Sequence, residues 1–91
     1  MVTAIILIQT QRARTNEVAE KLVEITGISE VYSVSGNYDL VAIIRVPDNE
    51  ALARLVTEKL RPLAGIDKTE TMLAFKTYSP HDLDRMFAVG M

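Results

Sequence analysis

Cysteine is absent from this sequence, and histidine occurs only once, at His81. Without cysteine the chain forms no disulfide, offers no thiol nucleophile and provides no thiolate ligand for a metal. A single histidine cannot build a site that needs several imidazole ligands. Zinc and haem proteins are therefore poor candidates, and we expect neither a metal ion nor another cofactor.

An excess of positive charge and long apolar runs are also missing. Ten lysine and arginine residues face twelve aspartate and glutamate residues, giving a net charge of −2 and a pI near 5.3. Proteins that bind a phosphate backbone carry a basic surface, so direct nucleic-acid binding is not expected. No segment approaches the roughly 20 apolar residues of a membrane span, and the N-terminal apolar run lacks the basic residues that begin a signal peptide. These features predict a cytoplasmic protein with no membrane partner.

The length of 91 residues is typical of one domain, which we expect to cover residues 1–91. A chain of this size buries only roughly 60 to 65% of the surface that its unfolded form exposes, so its own core is thin. Hydrophobic residues make up 48% of the sequence but aromatic residues only 5%. The core must therefore be largely aliphatic, and burial against a second copy would add to it.

Apolar periodicity predicts the order β-α-β-β-α-β, which is that of the ferredoxin-like fold in the α+β class. The four predicted strands are Thr3–Thr10, Ile28–Ser35, Tyr38–Val46 and Asp67–Tyr78. Right-handed crossovers leave room for the first and third strands in the middle of the antiparallel sheet. These two strands are also the most continuously apolar segments of the chain, so local pattern and topology agree.

Helix signals lie between the strands and after the last one. Thr15 or Asn16 can cap the first helix and Gly27 can end it, while Asp48 can cap the second, which Pro62 prevents from continuing. A third helix is predicted at the C-terminal end of the chain. It starts with Ser79 as cap and Pro80 at the first helical position, and it carries Leu83, Met86 and Phe87.

The two central strands are apolar on both faces, although a sheet with helices on one face and water on the other should alternate. Even positions such as Ile6 and odd positions such as Ile5 are both apolar, as are Val41 and Ala42. The simplest explanation is a homodimer in which two sheets pack face to face. The alternative is that the C-terminal helix folds across its own sheet, but one short helix covers little area.

The segment between the second and third strands, Val34–Leu40, contains Gly36, Asn37, Tyr38 and Asp39. Its structural interpretation is a tight hairpin turn in which Gly36 and Asn37 adopt positive φ and Asp39 accepts bonds from nearby N–H groups. Taken alone, the segment favours that interpretation. The functional interpretation is that turn N–H groups hold a carboxylate while Asp39 accepts a hydrogen bond from an ammonium group, and these are the two charged ends of an amino acid.

A second candidate segment opens the last strand. Thr69 and Thr71 are two residues apart, so their hydroxyl groups point to one face and could flank a small polar ligand. The structural interpretation is stronger here, because threonine is a favoured strand residue and needs no ligand to explain it.

Together the hairpin and the run Gly65-Ile66-x-x-Thr69-x-Thr71 resemble the effector-binding (RAM) domain of the Lrp/AsnC family of transcriptional regulators, and the resemblance covers nearly the whole chain. It implies a dimeric α/β sandwich, with dimers assembling into octamer or decamer rings and an amino acid or related small molecule bound between dimers. Carried over to this sequence, it implies a ligand surrounded by Gly36, Asn37, Tyr38 and Asp39, with Thr69 and Thr71 as further neighbours.

Full-length members of that family place a winged helix-turn-helix before this domain, whereas the present sequence opens on its first strand. The resemblance is therefore to a stand-alone form with no DNA-binding domain of its own. Such a protein would bind an effector and associate with full-length Lrp/AsnC regulators without reading an operator itself.

Two other classes of function stay open at this stage. One is a small dimeric α+β barrel enzyme, such as a cofactor-independent monooxygenase or an isomerase, since that architecture also pairs two ferredoxin-like sheets. The shortage of acid, base and nucleophilic groups counts against it, so we expect no enzyme and no catalytic residue. The other is a structural partner of a full-length regulator that binds no small molecule.

Three further features are given no role. Arg12 and Arg14 follow the first strand where an acylphosphatase would cradle phosphate, but the glycine-rich turn of that family is missing. The pair His81 and Asp82 has no evident nucleophile beside it. The acidic residues around Lys21 form the solvated face of a helix.

Overall fold

The computed structural model describes residues 1–78, and the predicted helix that starts at Ser79 lies outside them. The strands are β1 (Val2–Thr10), β2 (Ile28–Ser33), β3 (Leu40–Val46) and β4 (Ile66–Leu73). The helices are α1 (Thr15–Leu22) and α2 (Asn49–Arg54), and α2 continues directly into a π-helical segment, Leu55–Leu60. The predicted β-α-β-β-α-β order is confirmed.

All four strands form one antiparallel sheet in the order β2-β3-β1-β4. The two apolar strands β1 and β3 therefore occupy its centre, as the sequence predicts. Ile6 lies opposite Ala42 on β3 and opposite Thr71 on β4, which fixes the register on both sides of β1. This is the ferredoxin-like arrangement, with the helices in the two crossovers.

One face of the sheet packs against the helices and forms the core. Even-numbered residues of β1 and β3, such as Ile6 and Ile44, are fully buried there. The helices contribute a matching set of aliphatic side chains, namely Val18, Leu22, Leu55 and Leu60. The core is almost wholly aliphatic, as the scarcity of aromatic residues predicts.

The second face of the sheet, away from the helices, has an apolar centre and a more polar rim. Its centre consists of odd-numbered residues of the two middle strands, which are partly exposed: Ile5, Leu7, Val41 and Ile43. The register places Glu30 and Met72 at the two ends of the row through Ile5 and Ile43, and Tyr32 and Glu70 at the ends of the neighbouring row. An apolar centre within a more polar rim is the usual anatomy of a protein interface.

The predicted cap of the first helix is wrong. Arg14 occupies the N-cap position, and no side chain caps this helix end. Thr15 is already helical, and its hydroxyl oxygen lies 2.7 Å from that of Thr10 at the end of β1. The Thr15 hydroxyl group therefore bonds to Thr10 of β1 and not to the N–H groups at the start of the helix. Gly27 also does not end α1, which stops at Leu22; it forms the turn before β2, with a φ of +106°.

The outer strands are shorter than predicted. β4 ends at Leu73 instead of Tyr78, and β2 ends at Ser33 instead of Ser35. Within residues 1–78, β4 pairs with β1 alone, and the last pair of this ladder joins Leu73 to Ala4. Beyond that pair, Ala74 still donates its N–H to the carbonyl of Thr3. The β4 ladder thus ends although β1 continues to Val2, which pairs with Val46 on β3.

The cap of the second helix is confirmed. The Asp48 carboxylate accepts a hydrogen bond of 2.8 Å from the backbone N–H of Ala51. The π-helical continuation was not predicted; in it Arg61 donates its N–H to the carbonyl of Val56, five residues earlier. The helical conformation stops before Pro62, as expected from the missing N–H of proline.

Replacing the capping carboxylate should destabilise the fold measurably. We expect Asp48→Ala to cost about 1 kcal/mol of unfolding free energy, because the N–H of Ala51 loses its acceptor. In a domain of this size, that corresponds to a fall of about 4–8 °C in the thermal midpoint. Asp48→Asn is the matched control, since its amide oxygen can still accept the bond. Equal losses in both variants would contradict the capping role.

Arg14 and Glu17 form an exposed ion pair, with 2.9 Å between Arg14 Nε and Glu17 Oε2. Hydrogen bonds from Arg14 and then from Lys21 lower the pKa of Glu17 from 4.5 to about 2. Because this pKa is lower in the folded chain, the ion pair stabilises the fold above pH 4.5. That contribution is lost as the pH falls from about 4.5 to about 2.

An NMR titration of the Glu17 carboxyl group tests this ion pair. In Arg14→Gln we expect the midpoint to move from about 2 toward 4.5, because the hydrogen bond that lowers the pKa of Glu17 most is removed. Arg12→Gln, two residues earlier in the same loop, should leave the midpoint where it is. A midpoint near 4.5 in the unmodified protein would show that the pair does not form in solution.

Candidate functional site

The connection between β2 and β3, residues 34–39, is wider than the predicted two-residue turn. It is closed by the N–H of Val34, which donates to the carbonyl of Asp39 over 3.0 Å. Gly36 has a φ of +110°, whereas Asn37 does not adopt positive φ. The prediction is thus right for Gly36 and wrong for Asn37. Only a glycine meets the backbone requirement of this loop without strain.

Asp39 joins the loop to the end of β1. Its Oδ2 accepts hydrogen bonds from the N–H of Thr10 at 2.8 Å and from the hydroxyl of Thr10 at 3.3 Å. Its own N–H donates to the carbonyl of Ile8 at 2.9 Å. These bonds agree with the structural interpretation of Asp39. Within residues 1–78 they occupy only one of the two carboxylate oxygens, which leaves Oδ1 for another donor.

Asn37 and Tyr38 extend the contacts of the loop across β1. The side-chain amide of Gln9 donates to the carbonyl of Asn37 at 2.7 Å. The hydroxyl of Tyr38 donates to Glu70 Oε2 at 3.3 Å, so the loop reaches β4 on the far side of β1. We call the surface formed by residues 36–39 with Gln9, Thr10 and Glu70 the hairpin site.

The hairpin site includes three residues that the sequence analysis missed. Gln9, Thr10 and Glu70 belong to strands that are distant from the loop in sequence. They come together because β1 lies between β3 and β4. To find these three residues from the sequence, one would have to predict the strand register, in which Ile8 pairs with Leu40 on one side and with Thr69 on the other.

The backbone of the loop offers a row of hydrogen-bond donors. Across the part of the chain that the structure describes, the N–H groups of residues 35–38 make no hydrogen bond to a protein acceptor. These residues are exposed, except for Tyr38, which is partly buried. Consecutive N–H groups of this kind can bind an anion such as a carboxylate.

Thr69 and Thr71 lie on the opposite side of the sheet from the Tyr38 contact. They pair with Ile8 and Ile6 and therefore share the face that carries the helices. Glu70 pairs with Leu7 and lies on the second face. Both threonines are exposed, and Thr69 lines a cavity of ≈210 Å³ that also includes Asp67 and Lys68. Thus Gly36, Asn37, Tyr38 and Asp39 lie together, whereas the two threonines form a separate group.

Metal and membrane features can be assessed for residues 1–78. This part of the chain contains no group of three or more His, Asp or Glu side chains that could hold a metal ion. None of the helices described has the length and apolar character needed to cross a membrane. His81 and Asp82 lie outside the described residues.

Comparison with known proteins identifies relatives along most of the chain. Residues 3–83 match the family model of the Lrp/AsnC ligand binding domain. The uncharacterized HTH-type transcriptional regulator PH1916 of Pyrococcus horikoshii is 40% identical, over 82% of this chain and 52% of that protein. The chain thus spans about half the length of the curated relatives it matches.

Solved structures agree with this match. TTHA0845 from Thermus thermophilus is 43% identical, with a TM-score of 0.82 over 87% of this chain and 99% of that one. The transcriptional regulator NMB0573 of Neisseria meningitidis, solved as a complex with L-Met, has a TM-score of 0.77 over 86% of this chain and 52% of that one. At 16% identity, the second likeness concerns the fold alone. With a family model matched over residues 3–83 and a close relative among the regulators, the chain belongs to the Lrp/AsnC family through its ligand-binding domain.

Proposed function

We propose that this protein is a non-enzymatic module that binds an amino acid or a related small molecule and changes its assembly in response. Its curated relatives are transcriptional regulators, which supports a regulatory role and not a catalytic one. The proposal names amino acids as a class, because the family match does not identify the pocket residues that would select one amino acid over another.

The loop of the hairpin site carries this proposal. Within residues 1–78, the N–H groups of residues 35–38 and the Oδ1 atom of Asp39 have no protein partner, and the loop brings them together. An α-carboxylate accepts hydrogen bonds from N–H groups, and an α-ammonium donates to a carboxylate. Both charged groups of a free amino acid therefore find partners within one loop. The L-Met complex of NMB0573, which has the same fold, supports this class of ligand.

Thr69 and Thr71 have a different place in the proposal. Within one chain they lie on the helix-bearing face, whereas the contact between Tyr38 and Glu70 lies on the second face. Within the described residues, neither threonine makes a hydrogen bond to the hairpin loop. We therefore propose that the threonines contact the effector only where a second dimer brings its β4 edge to the hairpin site.

The second face of the sheet is the surface we propose for the homodimer. Ile5, Leu7, Val41 and Ile43 form its apolar centre, and the row of charged and larger residues around them forms a rim. If this face packed against the same face of a second chain, the apolar centres of both chains would be buried. A twofold interface of this kind uses the same patch on each chain.

A charge in the centre of this face should separate the dimer. We expect the unmodified protein to have twice its chain mass of 10.1 kDa, or a higher multiple, by light scattering at micromolar concentration. Ile43→Glu should reduce that mass to one chain, because an unpaired carboxylate would be buried against apolar side chains. Ser33→Glu is the control, since Ser33 pairs with Leu40 and so lies on the other face. A monomeric unmodified protein would refute the dimer.

Assembly and ligand binding are connected by linkage. A ligand that binds one oligomeric state more tightly than another shifts the population toward that state, by no more than the difference in affinity. An effector held between the hairpin site of one dimer and the threonines of another would favour rings of dimers over free dimers. Octamers and decamers are the ring sizes we propose.

Full-length Lrp/AsnC regulators are the protein partners we propose. A regulator with a ligand-binding domain of the same fold presents an equivalent second face and could exchange chains with this protein. Regulation of transcription by such exchange also implies a cytoplasmic location, because full-length regulators bind DNA there.

The effector proposal is tested by thermal unfolding in the presence of each of the twenty amino acids at millimolar concentration. A ligand at about 100 times its dissociation constant adds about 2.7 kcal/mol to the native state. That raises the midpoint by about 10 °C or more in a domain of this size. We expect such a shift with one or a few amino acids and none with Asp39→Asn, whose neutral amide forms no ion pair with an ammonium group.

Asp48→Asn is the matched control for this experiment. It makes the same substitution outside the hairpin site, at the helix cap, where the amide oxygen can still accept the bond from Ala51. The response to amino acids should therefore persist in Asp48→Asn. An unchanged response in Asp39→Asn would refute the role of the carboxylate. Loss of the added amino acid over time would instead indicate an enzyme.

A further inference from the structure

A groove of ≈440 Å³ lies at the opposite end of the sheet from the hairpin site. It is bounded by the turn before β2, the end of β3, α2 and the start of the π-helical segment, and we call it the end groove. β3 leads from the hairpin site at Leu40 to the end groove at Val46. At the rise of a β-strand, these two residues are about 20 Å apart. The two sites therefore share no residue.

The floor of the end groove is apolar and closely packed. Val46 and Leu55 contribute side chains that are almost completely buried. The backbone of Gly27 lies directly on both: a Cβ atom there would be 2.7 Å from Leu55 Cδ1 and 3.0 Å from Val46 Cγ1. Pro47 and Ala51 continue the apolar lining. Such a floor favours the hydrocarbon part of a ligand over water.

Two cationic side chains, Arg54 and Lys59, line the end groove beside one acidic residue, Glu58, among the described residues. Arg45 also lines the groove, but its guanidinium lies 3.7 Å from Glu30 on the second face of the sheet. Arg54 pairs with Glu50 over a long distance of 3.7 Å, and both side chains are largely exposed. A pair of this kind contributes little and leaves most guanidinium donors available.

One wall of the end groove has unusual backbone geometry. Leu55, Glu58 and Lys59 all belong to the π-helical segment. π-Helical turns are rare in proteins and occur frequently at functional sites. Lys59, one of the cations of the groove, thus belongs to a helical segment of irregular geometry.

We propose that the end groove binds a small monocarboxylate with an apolar tail. The tail would lie on Val46, Leu55 and Pro47, and the carboxylate would be held by Arg54 and Lys59. A free amino acid suits this site poorly, because its ammonium group would face the same cations. The volume lies within the roughly 300–1,000 Å³ of known small-molecule sites. This second site goes beyond the effector role of the hairpin site and does not depend on it.

The test is an NMR titration of the full chain with hexanoate, followed through the backbone amide signals. We expect shifts at Gly27, Val46 and Leu55 and saturation at millimolar concentration. Hexanol and hexylammonium, which have the same tail without the negative charge, should bind at least about tenfold more weakly, because they lose the charge-assisted hydrogen bonds. Asp39→Asn should bind hexanoate as the unmodified protein does, which separates this site from the effector site.

Two charge-matched double variants sharpen the test. Arg54→Gln with Lys59→Gln should weaken hexanoate binding by about tenfold or more, since both proposed anion partners are removed. Lys21→Gln with Lys76→Gln removes the same charge outside the groove and should leave the affinity unchanged. All four substituted residues are exposed, so both variants are expected to fold, which circular dichroism will check.

Three results would overturn the proposal. Equal binding of hexanol and hexanoate would remove the role of the cations, as would equal affinities of the two double variants. Shifts of the groove amides with protein concentration alone, unaffected by hexanoate, would identify an interface between copies instead. Contacts in the free protein between groove amides and residues 79–91, measured as nuclear Overhauser effects, would identify the chain itself as the occupant.

Discussion

The hydrogen bonding of β1 on both of its edges is the constraint on which the rest of this structure depends. β1 pairs with β3 on one side and with β4 on the other, so its register decides which side chains of all three strands share a face. In most sheets alternation of apolar and polar residues sets that register. Here β1 and β3 are apolar on both faces, and a one-residue slip would exchange one aliphatic face for another. The bonds of Asp39 to Thr10 and Ile8 supply the specificity that side-chain pattern lacks.

This double use of Asp39 explains why its structural and functional interpretations do not compete. Oδ2 holds the hairpin loop on the end of β1, and Oδ1 points to no donor within residues 1–78. A carboxylate already fixed by one oxygen loses little conformational freedom when the other binds a ligand. On the proposed function, the same contact that sets the register of the sheet also prepares the loop for its effector.

Much of the fold follows from the sequence because its signals are local. Asp48 and Pro62 mark the second helix, and continuous apolar runs mark the two central strands. The errors occur where a distant partner decides the outcome. Thr15 does not cap α1 because its hydroxyl group bonds to that of Thr10, and β4 stops at Leu73, where its ladder with β1 ends. The candidate site follows the same division: Gly36 and Asp39 stand out in sequence, whereas Gln9 and Glu70 join them only through strand register.

The two proposed ligand sites lie at opposite ends of a sheet whose centre is packed and aliphatic. The hairpin site and the end groove share no residue, so a ligand can bind at one of them without contacting the other. The hairpin site carries donors and a carboxylate and suits a zwitterion, whereas the end groove carries cations and suits a carboxylate without an ammonium group. On these proposals, one chain distinguishes an amino acid from an apolar carboxylic acid by charge, at two separate sites.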